Sequence, residues 1–460
     1  MAPALNENVC DVDVDVASHA AGKSTIYSSV LHGIRDVRLV REIHPTSRLS
    51  VETRSITEPL AGELQVQIKS TGICGSDVSY YKKFANGDLC ACAPLALGHE
   101  ASGVVVGIGP QVNGFSIGDR VALEVGISCG QCEICRKGRY NLCKKMRFRS
   151  SAKSVPHFQG TLQERINHPA VWCHKYVAAT IFPEQYLLIR RTRLPDHISF
   201  DAAALLEPLS VAIHSLNRAA PTPGSTALVI GAGAVGLLVA AMARQSGCPV
   251  VTITDVDHGR VQYALDHGFA THGYVVPPPS TLSSGTSTPS SSTSSSSGTT
   301  TPLHTYTPIS TRLSTAQHLA LEALAVSAPS FPVPLDDHEG VDLSFECTGK
   351  EICMQTAIYA TKPGGKCIMV GMGTPIQTLP LSAAHLREVD ILGVFRYANT
   401  YATGIRMLSA SALGKGGLPS LDAMVTHRFK GLGAAKEAFE LAGRTMDDEG
   451  KLVLKVVIEV

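Results

Sequence analysis

Four cysteines stand close together in the segment GISCGQCEICRKGRYNLC, where their spacing is Cys-x2-Cys-x2-Cys-x7-Cys. These residues are Cys129, Cys132, Cys135 and Cys143. Four thiolates at this spacing can surround one tetrahedral Zn²⁺ ion at normal Zn–S distances. Two disulfide bonds are the alternative, but nothing else in the sequence indicates secretion, and clustered cysteines of intracellular proteins usually bind metal. We therefore predict a structural zinc site, which by itself identifies no reaction.

A second candidate metal set comes from two short motifs, GICGSD and GHE. They contain Cys74, His99 and Glu100, and Cys74 and His99 each follow a strand-like segment. A cysteine, a histidine and a carboxylate leave one coordination position of zinc open, as a catalytic site requires. Asp77 is a suitable acceptor for the ring N–H of His99. A lone cysteine or histidine would normally be a core or surface residue, so the prediction depends on their combination.

Three glycines, Gly231, Gly233 and Gly236, form the pattern G-x-G-x-x-G between an apolar strand and the start of a helix. In this context the glycines allow a tight turn and let a pyrophosphate approach the free N–H groups of the helix N-terminus. Asp255 ends the next predicted strand, where a carboxylate accepts hydrogen bonds from a ribose 2′-hydroxyl and repels a 2′-phosphate. Arg260 could flank the adenosine. The pattern predicts an NAD site; packing glycines and a solvated aspartate are the alternative.

Three further polar residues lie in apolar surroundings. Glu207, in LLEPLSV, is either a charge at a helix N-terminus or a site residue. Arg396 and Tyr397, in GVFRYAN, end an apolar strand. An exposed arginine beside a half-buried tyrosine would also explain this pair, so the residue pattern alone leaves both interpretations open.

The composition limits the kind of protein. The chain has 460 residues, 13 cysteines and a formal net charge of +1. It is long enough for two domains, and its charge gives no reason to expect nucleic acid or an anionic membrane as a partner. The N-terminal segment lacks the basic region and apolar core of a signal peptide, and the longest apolar run, 227–243, is slightly short for a membrane span. We expect a soluble, reduced, cytoplasmic protein.

The pattern of elements changes near Ala202. Before it, short β-branched runs alternate with glycine-bearing turns and predict a mostly β domain; the runs are VRLVREI, ELQVQIKS, SGVVVGIG and DRVALEV. After it, a helix is predicted over 201–219, and apolar strands then alternate with helices, which predicts a doubly wound parallel sheet and an α/β fold. A segment rich in Ser, Thr, Pro and Gly, 277–302, is expected to be a disordered surface loop within an insert over 277–316.

The chain resembles the zinc-dependent medium-chain dehydrogenases, and within them the polyol dehydrogenases that act on sorbitol, xylitol or L-arabinitol. The motifs that carry this resemblance are the four-cysteine segment, GICGSDV, LGHEASG, LLEPLSVAIH, VIGAGAVG, FECTG, VGMGTPIQ, REVDILGVFRYANTY and KLVLKVVI. The resemblance covers residues 28–457 apart from two inserts. YYKKFANGDLC and FRYANTY are most similar to fungal sorbitol or xylitol dehydrogenases.

The resemblance implies an architecture and an activity. After a disordered tail over 1–25, we expect a GroES-like, mostly β catalytic domain over 26–209, a Rossmann dinucleotide-binding domain over 210–394, and a return to the catalytic domain over 395–460. The implied activity is NAD-dependent oxidation of a polyol to a ketose. The implied cofactors are NAD and two zinc ions per chain, one catalytic and one structural. The family also implies a homo-oligomer, either a tetramer or a dimer.

The resemblance also assigns roles by position. Cys74, His99 and Glu100 correspond to ligands of the catalytic zinc, and Glu207 binds that zinc directly or through water and meets the substrate. Ser76 is a candidate for the proton relay. The positions that correspond to substrate contacts are Tyr80, Glu207, Arg396 and Tyr397. The positions that correspond to NAD contacts, besides the glycine motif, are Val235, Asp255, Arg260, Val370, Gly371, Met372, Val394, Phe395 and Arg396.

Some features depart from the family pattern. Ser79 stands where polyol dehydrogenases often have histidine, which puts a proton route through that residue in doubt. The loop 82–93 differs from that of animal sorbitol dehydrogenases, so the preferred polyol is open. Segment 176–193 interrupts an otherwise matching region and is either a surface loop or an intron that was translated as coding sequence in the gene model. A zinc alcohol dehydrogenase of another substrate class, or a catalytically impaired zinc- and NAD-binding protein, are the alternative functions.

Overall fold

Two sheets of different kinds dominate the computed structural model of this chain, which describes residues 23–32, 48–175, 177–180, 188–191, 197–278, 309–331 and 340–460. Strands and helices within these residues are numbered in chain order. The first sheet is largely antiparallel, and its strands are β3 (Glu63–Gly72), β7 (Glu100–Ile108), β8 (Arg120–Leu123), β11 (Arg165–Pro169), β12 (Cys173–His174), β21 (Val425–Lys430) and β22 (Lys455–Glu459). The second is parallel, and its strands are β15 (Thr226–Ile230), β16 (Val250–Asp255), β17 (His272–Val275), β18 (Val341–Glu346), β19 (Thr361–Met369) and β20 (Asp390–Gly393).

Smaller sheets and the helices complete the described part of the chain. A three-stranded sheet consists of β1 (Lys23–His32), β2 (Arg48–Thr57) and β6 (Leu95–Ala96). Three strand pairs are β4 (Ala85–Asn86) with β5 (Leu89–Cys90), β9 (Gly126–Ile127) with β10 (Arg147–Phe148), and β13 (Val177–Thr180) with β14 (Leu188–Arg191). The helices are α1 (Gly75–Lys83), α2 (Glu133–Arg136), α3 (Phe200–Ala204), α4 (Leu206–Ala219), α5 (Ala234–Gln245), α6 (His258–Asp266), α7 (Ile309–Ser327), α8 (Glu351–Ala360), α9 (Leu381–His385), α10 (Tyr401–Ala412), α11 (Leu421–Met424) and α12 (Ala435–Ala442).

The parallel sheet has the strand order of a dinucleotide-binding fold. Its order is β17-β16-β15-β18-β19-β20, so β15 lies in the centre and the chain winds outward on both sides of it. All five residues of β15 are buried, as expected for a strand covered by helices on both faces. The crevice at the carboxyl end of β15, where the winding reverses, is where such sheets bind ligands. The predicted doubly wound sheet is confirmed.

The C-terminal part of the chain joins the antiparallel sheet. β22 pairs antiparallel with β3 and parallel with β21. Along β3, Leu64, Val66 and Ile68 are completely buried, which is the two-residue period of a strand with one face in the core. The predicted mostly β unit is therefore present, and residues 425–459 complete it. The predicted domain boundaries at 209/210 and 394/395 stay predictions, and the first of them falls inside α4.

Helix α4 contacts elements of both sheets and carries Glu207 in its first turn. Its apolar stripe, Leu209, Ile213 and Leu216, is buried in the largest core, with the spacing of one helix face. The prediction of a single helix over 201–219 is wrong in one respect, because the structure has two helices there, α3 and α4. Pro208 explains the division: a proline has no N–H for a continuous helix but fits the first turn of a new one.

Other expectations fall at the edges of the described residues. Residues 23–25, expected in the disordered tail, belong to β1, where they pair with β2. Residues 309–316, expected in the disordered insert, form the start of α7, because the apolar face of this helix packs on its neighbours. The predicted strand VRLVREI and the loop residues 279–308 lie outside the described residues. Within segment 176–193, the β13 and β14 backbones pair antiparallel, and both interpretations of this segment stay open.

In the described part of the chain, no helix combines the length and apolar character needed to cross a membrane.

Candidate active site

The strand register brings the second metal set together. β3 ends at Gly72 and β7 begins at Glu100, and these two residues pair across the sheet. Cys74 lies just after β3, and His99 lies just before β7. A Cβ atom at Gly72 would lie 2.2 Å from Oε2 of Glu100, so glycine leaves the space that the carboxylate occupies. The ligand atoms of Cys74, His99 and Glu100 consequently all lie within 4.8 Å of one another.

This set fits a zinc ion by its chemistry. A thiolate, an imidazole and a carboxylate are the usual zinc ligands, and three of them leave one position open. Asp77, which is completely buried, orients the imidazole: its Oδ1 lies 3.2 Å from Nδ1 of His99 and accepts from the N–H of Gly98 at 3.1 Å. Because Nδ1–H donates to Asp77, Nε2 of His99 is left for the metal. The hydroxyl of Ser150 also donates to Asp77, at 2.5 Å, a contact that no pattern in the sequence indicates.

The charges around His99 favour its protonated form before a metal binds. Burial disfavours the imidazolium, but the charges of Asp77 and Cys74 and the hydrogen bonds that His99 donates to both raise the pKa of His99 well above its usual value. For Asp77, burial favours the neutral acid, but the charge and hydrogen bond of His99 outweigh it and lower the pKa. A metal ion must therefore displace a proton from His99 to bind here.

A buried lysine, to which the sequence analysis assigns no role, neutralises Glu100. Nζ of Lys455 lies 2.7 Å from Oε1 and 2.6 Å from Oε2 of Glu100, and it donates to the backbone oxygen of Ile73 at 3.1 Å. Both charged side chains are almost completely buried, with 4% and 1% of their surface exposed. Lys455 belongs to the KLVLKVVI motif on β22, so the return of the C-terminus to the sheet supplies this charge.

Glu207 lies beside the metal set but is not part of it. The residue is buried. Burial, joined by the charge of Glu100, raises the pKa of Glu207 to about 7, while the charges of His99, Lys455 and Arg396 oppose the shift. A carboxyl group with this pKa can take up and release a proton near neutral pH.

One predicted substrate residue, Arg396, lies near the metal set, because it shares the ring of Phe148 with His99. The guanidinium of Arg396 lies 3.6 Å from the ring centroid of Phe148, and the ring of His99 lies 5.5 Å from the same centroid. Burial lowers the pKa of Arg396, and Tyr397, Glu207 and Tyr80 lie close enough for their charges to oppose the shift. Tyr80 and Tyr397 are both buried. Ser76 is half-buried in the first turn of α1. The structure thus gathers the predicted substrate residues in one place.

The four-cysteine set is arranged as a metal site. The Sγ atoms of Cys129 and Cys135 are 3.9 Å apart, those of Cys132 and Cys135 3.4 Å, those of Cys132 and Cys143 4.0 Å, and those of Cys129 and Cys143 3.5 Å. Tetrahedral zinc with bonds of about 2.3 Å requires S–S separations of about 3.8 Å. All four are free thiols, which argues against the disulfide alternative. Hydrogen bonds from the backbone N–H groups of Gln131 and Cys132 lower the pKa of Cys129 to about 6, which favours the thiolate.

The glycine motif forms an open turn at the carboxyl end of β15. Gly231 has a φ of +104°, and a Cβ atom at Gly236 would lie 1.8 Å from the backbone oxygen of Gly231. A Cβ atom at Gly233 would meet nothing within 4 Å, so the space that a pyrophosphate would need is free. Asp255, at the end of β16, accepts the N–H of Ala232 at 2.7 Å. Its carboxylate therefore lies beside the turn, as an NAD site requires.

The other cofactor candidates surround the same crevice. Val235 lies in the first turn of α5, and the remaining residues follow the carboxyl ends of neighbouring strands: Val370, Gly371 and Met372 after β19, and Val394 and Phe395 after β20. Met372 and Phe395 are exposed. The guanidinium of Arg260 donates to the backbone oxygen of Val453 at 3.3 Å, and its contact with the adenosine stays a prediction.

Comparison with known proteins agrees with this geometry. Residues 60–178 match the alcohol dehydrogenase GroES-like domain, and residues 316–410 match the zinc-binding dehydrogenase family. The chain is 34% identical to sorbitol dehydrogenase of Gallus gallus over 416 residues, which is 90% of this chain and 95% of that protein. It is also 34% identical to L-arabinitol 4-dehydrogenase of Talaromyces emersonii, over 85% of this chain and 84% of that one.

Solved structures show the same fold at lower identity. L-idonate 5-dehydrogenase from Escherichia coli superposes with a TM-score of 0.68 at 21% sequence identity, and the match covers 96% of this chain and 100% of that one. The alignments with the two sequence relatives cover 90% and 85% of this chain. The chain therefore belongs to the zinc-dependent medium-chain dehydrogenase family, in its polyol dehydrogenase branch.

Proposed function

We propose that this chain oxidises a polyol such as sorbitol or xylitol to the ketose with NAD as the hydride acceptor. The observation that carries the proposal is that Arg396 and His99 both lie close to the ring of Phe148, while Glu207 is buried near the Cys74, His99 and Glu100 set. A simple alcohol offers one hydroxyl to such a site. A polyol offers further hydroxyls that charged and phenolic side chains can bind.

The chain's own residues divide the chemistry between them. When bound, zinc polarises the substrate hydroxyl and NAD accepts the hydride from the carbon that carries it. Cys74, His99 and Glu100 would hold the metal. The four cysteines of segment 129–143, called the four-cysteine lobe below, would hold a structural zinc. Glu207, whose pKa is raised to about 7 by burial, takes the hydroxyl proton directly or through water as the C=O bond forms. Ser76, in the first turn of α1, would pass that proton towards the cofactor ribose.

Arg396 provides the preference for a polyol. Its Nη1 is buried and has no hydrogen-bond partner among the described residues, although a buried charged donor without a partner is costly. A substrate hydroxyl would supply that partner. Tyr80 and Tyr397 would bind neighbouring hydroxyls. A site built in this way loses strongly on an analogue that lacks the hydroxyl, because its polar groups are then left unpaired.

The test is NADH formation, followed by its absorbance, from purified and metal-analysed protein on sorbitol, xylitol, L-arabinitol and ethanol. We expect turnover of at least one polyol, much lower turnover of ethanol, and loss of activity with a chelator. Cys74→Ala should abolish turnover and leave NAD binding intact, which fluorescence titration measures. Equal rates on ethanol and polyols would assign another substrate class. NAD binding without turnover of any polyol would contradict the proposal.

We also propose a cytoplasmic homo-oligomer, a dimer or a tetramer. All the cysteines in the described residues are free thiols, which suits a reducing compartment. Strand β20 lies at one end of the parallel sheet, and its residues are exposed or half-buried, so a second copy has an edge to pair with. Light scattering of the purified protein measures the mass, and a monomer would contradict this part of the proposal.

A further inference from the structure

The turn that carries Arg396 has an unusual backbone. It runs from Phe395 to Asn399, and the φ values of Arg396 and Asn399 are 52° and 60°. Residues other than glycine seldom adopt this left-handed region. Such conformations persist only where the surrounding structure holds them, and they concentrate in functional sites. The turn therefore depends on contacts from outside itself.

Those contacts come from the segment 138–141. The hydroxyl oxygen of Tyr140 accepts the backbone N–H of Asn399 at 2.7 Å. The side-chain amide of Asn141 donates to the backbone oxygen of Phe395 at 2.8 Å, and the side-chain amide of Asn399 donates to the backbone oxygen of Gly138 at 2.7 Å. One bond holds the first residue of the turn and two hold the last, so the residues between them, Arg396 included, are fixed at both ends.

Tyr140 is itself fixed by a buried acid. Its hydroxyl donates to Oε1 of Glu124 at 2.6 Å, while Oε2 of Glu124 lies 2.6 Å from Nε2 of His174. Glu124 is only 2% exposed, so its carboxylate has few competing partners. The ring of Tyr140 packs against Trp172 with 5.0 Å between centroids. The hydroxyl thus holds its place while it accepts from the turn.

We propose that Tyr140 is a positioning residue that couples the four-cysteine lobe to the substrate pocket. Segment 138–141 lies between Cys135 and Cys143, so the lobe supplies the contacts that place Arg396 over Phe148. This inference rests on the proposed function, in which Arg396 binds a substrate hydroxyl. The lobe then determines how tightly substrates with several hydroxyls bind, in addition to any stability that a metal in the lobe provides.

The test is Tyr140→Phe, which removes one oxygen and keeps the ring that packs on Trp172. We expect KM for the best polyol to rise about tenfold, the effect of one hydrogen bond of ordinary strength, with kcat changed by less than about twofold. Tyr274→Phe is the matched control. The hydroxyl of Tyr274 also donates to a glutamate, Glu322, but Tyr274 lies on β17 of the parallel sheet. The control should leave KM unchanged.

Two comparisons separate positioning from a general structural effect. A secondary alcohol with a single hydroxyl should show the same kcat/KM in the wild type and in Tyr140→Phe, because it does not need Arg396. In an Arg396→Ala background, Tyr140→Phe should raise KM no further, since the two residues act through one contact. Equal losses on both substrates, or additive losses in the double variant, would overturn the proposal.

A failure to fold and a failure of the proposed function are each recognisable. Metal analysis shows whether Tyr140→Phe keeps its zinc; if it does not, Asn141→Ala removes the bond at the other end of the turn and carries the same expectation. If the wild type oxidises no polyol, the proposed function is wrong, and crystal structures of wild type and Tyr140→Phe then decide the inference. A rearranged turn supports it, and an unchanged φ at Arg396 overturns it.

Discussion

Replacement of Lys455 by methionine tests how the buried Lys455–Glu100 pair and the metal site depend on each other. Nζ of Lys455 lies within 2.7 Å of both carboxylate oxygens of Glu100 and also donates to Ile73. Because both side chains are almost completely buried, solvent screens the interaction little. Methionine keeps most of the length and apolar volume of lysine and removes its charge.

The expected loss of stability differs between the two metal states. Without metal, the substitution leaves Glu100 as an unpaired buried carboxylate, and breaking a buried ion pair from one side costs about 3–5 kcal/mol. With zinc on Cys74, His99 and Glu100, the ion compensates the carboxylate, and the missing donor to Ile73 leaves a cost of about 1–2 kcal/mol. The variant therefore loses about 2 kcal/mol less stability with zinc than without it. Because folding and zinc binding are linked, the folded variant must bind zinc roughly 30-fold more tightly than the wild type.

Urea unfolding with and without chelator measures the two stabilities, and competition with a chelating dye measures zinc affinity. Since the four-cysteine set also loses its metal to a chelator, each variant is compared with the wild type in the same metal state. Lys366→Met is the matched control, because Nζ of Lys366 donates to the backbone oxygen of Ala219 at 2.7 Å away from the metal set. The control should lose the same stability in both states.

The reasoning would be refuted if Lys455→Met lost equal stability with and without zinc and bound zinc as the wild type does. Lys455 would then act through packing alone, and the carboxylate of Glu100 would be neutralised in some other way.

Two further predictions concern the metal and the cofactor. The zinc affinity of the Cys74, His99 and Glu100 set should fall as the pH is lowered through the raised pKa of His99, by up to about tenfold per pH unit for each proton displaced. Dye competition at several pH values measures the affinity, and calorimetry in two buffers measures the proton release. An affinity that does not depend on pH would contradict the prediction. Asp255→Ala is expected to weaken NAD binding about tenfold and to lower the ratio of NAD affinity to NADP affinity, because it removes the carboxylate proposed to accept hydrogen bonds from the ribose. Fluorescence titration with both cofactors measures that ratio, and an unchanged ratio would exclude this role for Asp255.

Local patterns in the sequence predicted the parts of the site that local structure builds. The glycine motif needs only a strand, a turn and a helix in succession, and β15 and α5 supply them. The four lobe cysteines lie within 15 residues of one another, so their spacing nearly determines their geometry. The partnership of Asp77 with His99 follows from the register of two adjacent strands, which two apolar runs already indicate.

Contacts between segments that are far apart in the chain could not be predicted from local sequence patterns. Lys455 and Glu100 are 355 positions apart, and Ser150 and Asp77 are 73 apart. Each pair depends on how the strands and loops of the β unit pack, and nothing in the local sequence of KLVLKVVI shows that its second lysine faces a carboxylate. The resemblance placed this motif in the family without assigning a role to the lysine, since a motif carries residue types and not their partners.

The Phe395–Asn399 turn shows why the backbone conformation at Arg396 could not be predicted from the sequence. FRYAN contains no glycine, and only its asparagine is of a type that favours the left-handed region, so nothing in the sequence predicts that conformation at Arg396. The conformation exists because segment 138–141, more than 250 positions away, bonds to both of its ends. Arg396 is therefore presented to Phe148 by a turn whose two ends are hydrogen-bonded to segment 138–141. A substitution in the lobe and one in the turn should consequently affect substrate binding in the same way, although only the second lies in the pocket.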